Sequence, residues 1–248
     1  MNSTTLVITD LTRMHRGMVC IAGYDKDLNC IRPILPPPGI SEHQLSDERG
    51  KPIIFPFAVI QLDLLDPRPE PPHTEDVFFF SPSPRFLRLA RNPQHLLQQT
   101  LSPDVRTIFE QPIHSDMGYY VLEGQGPRSL GTICPVSVTE VRYEPEPGGG
   151  AWDYRLAFTD AHGDVYRLKI TDLTWQLYCQ SQRNEQRDPP KIASELTHLL
   201  QNRDVYLRIG LARGWKEHPD RCYLQITGIY TFPDYLEGKT FADFLPGK

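Results

Sequence analysis

The spacing of apolar positions divides the chain into many short β-rich runs and a few helices. Residues 6–12, 18–25, 57–65 and 76–80 are rich in β-branched, aliphatic and aromatic side chains and lie between proline clusters, the pattern of strands. Residues 93–101 and 103–111 each start at a proline and read as helices. So does 189–202, where Ile192, Leu196, Leu199 and Leu200 recur at the i, i+4, i+7, i+8 spacing of an amphipathic helix. The second half has the clearest order. Residues 130–143, 152–159 and 164–171 read as three strands, a long connection leads to the helix at 190–201, and strands follow at 204–213 and 221–229.

That β-β-β-α-β-β order is the order of a five-stranded oligonucleotide/oligosaccharide-binding (OB) barrel, with its helix between the third and fourth strands. The turn Ala161-His162-Gly163-Asp164 joins the second and third strands as a hairpin. The first half repeats the order loosely, with strands at 6–12, 18–25 and 28–32, a helix at 93–101, and strands at 118–122 and beyond. Ile8-Thr9-Asp10-Leu11-Thr12 also returns as Ile170-Thr171-Asp172-Leu173-Thr174, a hint of internal duplication. The expected fold is mainly β, with few helices: two OB-like five-stranded barrels. The first, residues 1–128, carries a Pro-rich insertion over about 33–92; the second spans 129–248, with 145–150 as an internal loop.

Strand alternation separates the faces of the second barrel, because residues two apart share a face. With Tyr154, Leu156 and Phe158 inward, and Tyr166, Leu168 and Ile170 inward on the next strand, Arg155, Arg167 and Lys169 gather on the outer face of the hairpin. OB folds commonly bind oligonucleotides on that face, and three cations there suit phosphates. The same charges also suit a strand face that is merely kept solvated. On the last two strands, inward Val205, Leu207, Ile209, Cys222, Leu224 and Ile226 leave Tyr206, Arg208, Tyr223, Gln225 and Thr227 outward. These are either a ligand surface or a surface packed on the first barrel or another chain. Arg213, Trp215 and Lys216 follow in the connecting loop, where Arg and Trp suit phosphate and base contacts. In the first half Arg13, His15, Arg16, Tyr24 and Arg32 sit near strand ends and form a second candidate rim.

Net charge changes this picture little. Twenty-six basic and 31 acidic residues leave −5, so any polyanion site must be local rather than a general electrostatic coat. Cys20, Cys30, Cys134, Cys179 and Cys222 are odd in number and scattered, which fits free thiols and offers neither a disulfide framework nor a metal knuckle. No cofactor or metal is expected. The nucleophile elbow, phosphate loop, dinucleotide fingerprint and zinc-protease motifs do not occur, and the adjacent His114-Ser115-Asp116 cannot orient as a triad whose members meet from separate elements. The enzyme reading therefore leans to no. With no apolar run near the ~20 residues that cross a bilayer and no secretory pattern at the start, no membrane contact and a cytoplasmic location are expected.

The segments ITDLTRM, GMVCIAGYD with the following CIRP, YLRIGLARGW and CYLQITGIYTFPDYLEGKTFADF resemble uncharacterised prokaryotic proteins described as dual OB-containing domains. The resemblance spans almost the whole chain and implies two barrels and a nucleic-acid-binding role, with no catalytic residue, substrate or cofactor to transfer. The combined expectation is a non-enzymatic binding module for single-stranded or structured nucleic acid. Its first-choice contacts are Arg155, Arg167, Lys169, Arg208, Arg213, Trp215 and Tyr223, with Arg13, Arg16, Tyr24 and Arg32 behind them. The alternative is a protein-interaction module using the same outward strand faces.

Overall fold

A computed structural model describes residues 2–146, 152–185 and 187–245; the loop expected at 145–150 falls outside them from 147 onward. The first sheet comprises β1 (Asn2–Arg13), β2 (Met18–Tyr24), β3 (Cys30–Ile34), the two-residue β4 (Ile40–Ser41), β5 (Ala58–Pro67), β6 (Asp76–Phe79) and β7 (Arg85–Leu89). Its strands run in the order β1-β2-β3-β6-β5, and β5 pairs back with β1, which closes a five-stranded barrel. Only the β3–β6 pairing in that ring is parallel. Closure depends on β1, whose first half pairs with β5 and whose second half pairs with β2 across a bulge between Ile8 and Asp10. Leu6, Ile8, Val19, Ile21, Ile60, Leu62 and Phe79 fill the interior.

The expected Pro-rich insertion thus supplies two barrel strands, β5 and β6, while residues 119–122 pair in the other sheet. The prolines lie largely in the connections and at the β5 end, and only Pro33 stands inside a barrel strand, β3, opposite Val77. Gly23 marks a tight point in the barrel wall: a Cβ there would stand 2.3 Å from the Val7 carbonyl oxygen. Gly23→Ala is expected to force β1 and β2 apart and to cost about 1–3 kcal/mol, read as a lower urea midpoint with an unchanged slope.

Helices α1 (Pro93–Gln99) and α2 (Val105–Phe109) connect to β8 (His114–Ser115), β9 (Tyr119–Leu122) and β10 (Leu130–Ile133). Then come β11 (Ser137–Pro145), β12 (Trp152–Thr159), β13 (Val165–Ile170), α3 (Leu173–Asn184), α4 (Pro189–Gln201), β14 (Asp204–Leu211) and β15 (Arg221–Phe232). The second sheet runs β10-β14-β15-β13-β12-β11, with β13 and β15 parallel. This is the strand order of the first barrel without its closing pair: β10, not β11, lies on the free edge of β14, and the sheet curls. Tyr154, Leu156, Phe158, Tyr166, Leu168 and Ile170 are buried in its core, as alternation predicts. The expected hairpin turn is held by Asp160, whose side chain accepts from the backbone N–H of His162 and Asp164, with Gly163 at φ 92°.

Helix α3 falls where the sequence reads as a connection. Asp172 caps it by accepting from the N–H groups of Thr174 and Trp175. Its apolar residues serve two cores: Trp175 and Cys179 pack in the second, Leu173 and Leu177 in the first. A helix apolar on two sides shows no single stripe, and Leu173, Trp175, Leu177 and Cys179 fall at a strand-like period of two. The chain then closes on a 3₁₀ turn, Phe241–Phe244, whose Phe241, Ala242 and Phe244 return to the first barrel's core. The two copies of the repeated pentamer meet through a bridge between Thr12 and Asp172, and just past the first copy the N–H of Arg13 donates to the Thr171 carbonyl (2.7 Å).

Candidate functional site

A cleft of about 680 Å³ lies between the two units. Its floor comes from the first barrel, where alternation on β2 turns Val19 and Ile21 into the core and leaves Met18, Cys20 and Ala22 on the outer side. Arg32 and Ile34 of β3 continue that face, and the turn after β1 adds Met14 and His15. In OB topology this is the second-strand and third-strand face with its first connecting loop. The facing wall is the β14–β15 side of the second unit, with Arg213, Trp215, Gln225 and Thr227. Gly214 lets that loop double back, since a Cβ would stand 2.2 Å from the Pro219 carbonyl oxygen. Trp215 and His218 exchange backbone hydrogen bonds and leave the indole half exposed.

Four sequence-derived candidates from distant parts of the chain, Arg13, Arg32, Arg213 and Trp215, therefore converge on one cleft. Their charges are partly taken up. Arg13 pairs with Glu42 at 3.0 Å, and Asp76 receives both Arg32 and Arg213. Arg32 is buried, donates also to Ser129 Oγ (3.2 Å), and keeps its Nη2 without a protein partner. The Arg213 side chain stays about half exposed and that of Arg13 about a third exposed. Burial pushes the Cys20 thiol above its ordinary range, so this cysteine lines the cleft as a neutral group and not as a nucleophile. Arg16 is exposed on the turn beside His15, at φ 58°.

Arg208 and Tyr24 are not surface contacts. Arg208 is fully buried where β14 packs on the first barrel, and its guanidinium pairs with Asp10 at 2.9 Å. It also donates to the Tyr24 hydroxyl (2.6 Å) and to Thr132 Oγ1 (2.8 Å). Asp10 is further satisfied by the hydroxyls of Thr227 (2.6 Å) and Thr9 (2.9 Å). Alternation gave the side of β14 correctly, and the first barrel covers that side. Tyr206 is likewise buried, against Leu97 of α1. Tyr223 is half-buried beside Tyr120 of β9, at 5.6 Å between rings. Asp10 and Asp172, a pair that carboxylate chemistry would suit, are spent on the Arg208 contact and the α3 cap.

The hairpin cations do face outward, and each has a carboxylate partner. Arg155 meets Asp153 at 2.5 Å, Arg167 meets Glu140 at 3.2 Å, and Lys169 meets Glu146 at 2.8 Å. Cations at both places are paired with acids, and what sets the cleft apart is its concave wall and exposed ring. Sequence reading missed the acidic partners Glu42 and Asp76, and it missed His73, Glu123 and Cys222, whose side chains meet beside Arg213. Burial, together with the Arg32 and Arg213 guanidiniums, pushes the His73 imidazole down to about 2. These three residues lie 50 and 99 positions apart in sequence, so no spacing motif announces them. No helix among the described residues is long and apolar enough to cross a membrane.

A family model described as a dual OB-containing domain matches residues 4–229. No curated protein matches the chain. Among solved structures, a murine DNA-binding protein bound with double-stranded DNA is 10% identical, with a TM-score of 0.34 over 93% of this chain and 97% of that one. That overlap is too loose to transfer a binding mode.

Proposed function

The chain belongs to the dual OB-containing domain family, and from that premise we propose that it is a nucleic-acid-binding module whose ligand lies in the cleft between the units. The observation that carries this reading is the convergence of Arg13, Arg32, Arg213 and Trp215 on the second-strand and third-strand face of the first barrel. A single-stranded segment fits such a site best. The Trp215 indole provides a stacking platform for a base, worth about 1–3 kcal/mol, and the Arg13 and Arg213 tips meet the adjoining phosphates. Glu42 and Asp76 hold these guanidiniums in place and limit the net field, so affinity rests on a few placed contacts and not on bulk charge. Arg155, Arg167 and Lys169 form a secondary surface, engaged by longer strands.

The test is fluorescence anisotropy with labelled single-stranded DNA, single-stranded RNA and duplex at two salt concentrations. Trp215→Ala is expected to weaken single-strand binding by roughly 5–150-fold, the equivalent of one stacked base. Arg13→Ala with Arg213→Ala should lower the salt slope by up to about 2. The triple change Arg155→Ala/Arg167→Ala/Lys169→Ala should affect short oligonucleotides little. Equal weakening by the triple change and none by Trp215→Ala would move the site to the hairpin. No binding of any form at low salt would overturn the nucleic-acid reading.

A further inference from the structure

We propose that His73, Glu123 and Cys222 form a zinc site that fastens the first barrel's β5–β6 loop to the second unit. The three residues come from three separate segments: that loop, the end of β9 and the start of β15. Their potential ligand atoms all lie within 4.8 Å of one another, with Cys222 Sγ 3.9 Å from His73 Nε2 and facing the Glu123 carboxylate. Zinc bonds of about 2.0–2.3 Å to nitrogen, oxygen and sulfur place tetrahedral ligands at this kind of separation.

The surroundings suit a resident ion better than an isolated polar group. His73 and Cys222 are fully buried, and the His73 Nδ1 has no hydrogen-bond partner. A neutral imidazole is the form that binds metal, and Nε2, the ring nitrogen turned to the Cys222 thiol at 3.9 Å, is the one that would take the ion. A thiolate and a carboxylate together balance a divalent charge. Thiolate and imidazole disfavour magnesium and calcium, and the mixed sulfur, nitrogen and oxygen set fits zinc. The main chain already gathers the segments: the N–H of Gly124 donates to the Pro71 carbonyl (2.9 Å), and the N–H of Glu123 donates to the Asp220 carbonyl (2.9 Å). Three protein ligands would leave the fourth position to a water. The ion would thus hold the loop that leads into Asp76, the carboxylate that grips the cleft arginines Arg32 and Arg213.

The experiment uses the full chain without a histidine tag, stripped with a chelator and titrated with Co²⁺, then with Zn²⁺. One equivalent of Co²⁺ is expected to produce a thiolate-to-cobalt charge-transfer band and tetrahedral d–d bands, both bleached by Zn²⁺. Cys222→Ser should remove the charge-transfer band, and His73→Asn should weaken binding at least ~10-fold. Zn²⁺ should raise the thermal midpoint of the wild type and, at the same concentration, that of His73→Asn by less. If either variant fails to fold, the wild-type cobalt spectrum decides. Absence of a thiolate band in the wild type, or its survival in folded Cys222→Ser, would overturn the proposal.

Discussion

A chain ending at residue 128 is expected not to fold, although it contains every strand of the closed barrel. That barrel's core takes in Leu173, Leu177, Phe241 and Phe244 from beyond the cut. At about 1.5–3 kcal/mol for each large apolar side chain removed, their loss is of the same order as the whole stability of a domain, about 5–15 kcal/mol. The truncated chain would also uncover the part of β1 on which α3 now packs. Circular dichroism and an amide correlation spectrum check this: the expected result is a poorly dispersed, non-cooperative species beside a full chain that melts in one transition. A dispersed spectrum and a sharp melt for residues 1–128 would show the barrel to be self-sufficient.

The second large effect belongs to Arg208. Arg208→Ala is expected to cost about 3–5 kcal/mol, because it leaves Asp10 charged, buried and short of its main partner. Asp10→Asn should cost a comparable amount by stranding the guanidinium. The combined variant Asp10→Asn/Arg208→Met should be less destabilised than the sum of the single changes, since neither charge is then left alone. Urea unfolding of the four proteins completes the cycle. A loss below about 1 kcal/mol for Arg208→Ala, the value of an exposed pair, would mean that water reaches the guanidinium and that the contact between units is open.

Much of the architecture was legible because strand alternation is a local property. The second unit's strands at 152–159, 204–213 and 221–229 and its helix at 190–201 lie within a few residues of where the structure has them. The inward set on β12 and β13 is correct residue by residue. The first barrel was read with the wrong fourth and fifth strands because β5 and β6 stand among prolines, and proline clusters look like inserted loop when the strands between them are short. Helix α3 was hidden for the opposite reason: packing on two cores distributed its apolar residues over two faces. Arg208 shows the limit of alternation as a guide to sites. The pattern reports which side of a strand a residue takes, while exposure depends on what another unit lays over that side. For Trp215 and Arg213 nothing is laid over, and both stand on a cleft wall.

The helix shared between the two cores also bears on what a bound ligand does to the molecule. With Leu173 and Leu177 in one core and Trp175 and Cys179 in the other, a loss of packing in one unit loosens a helix the other also uses, so the two units are expected to open together. A ligand in the cleft is therefore linked to the folding of all the elements that meet there. Its binding adds RT ln(1 + [L]/Kd) to the stability of both halves at once, including strands far from any contact with it. Affinity lost through a change in either core is then a tax on the population of the closed state, and it falls equally on every ligand that uses the cleft.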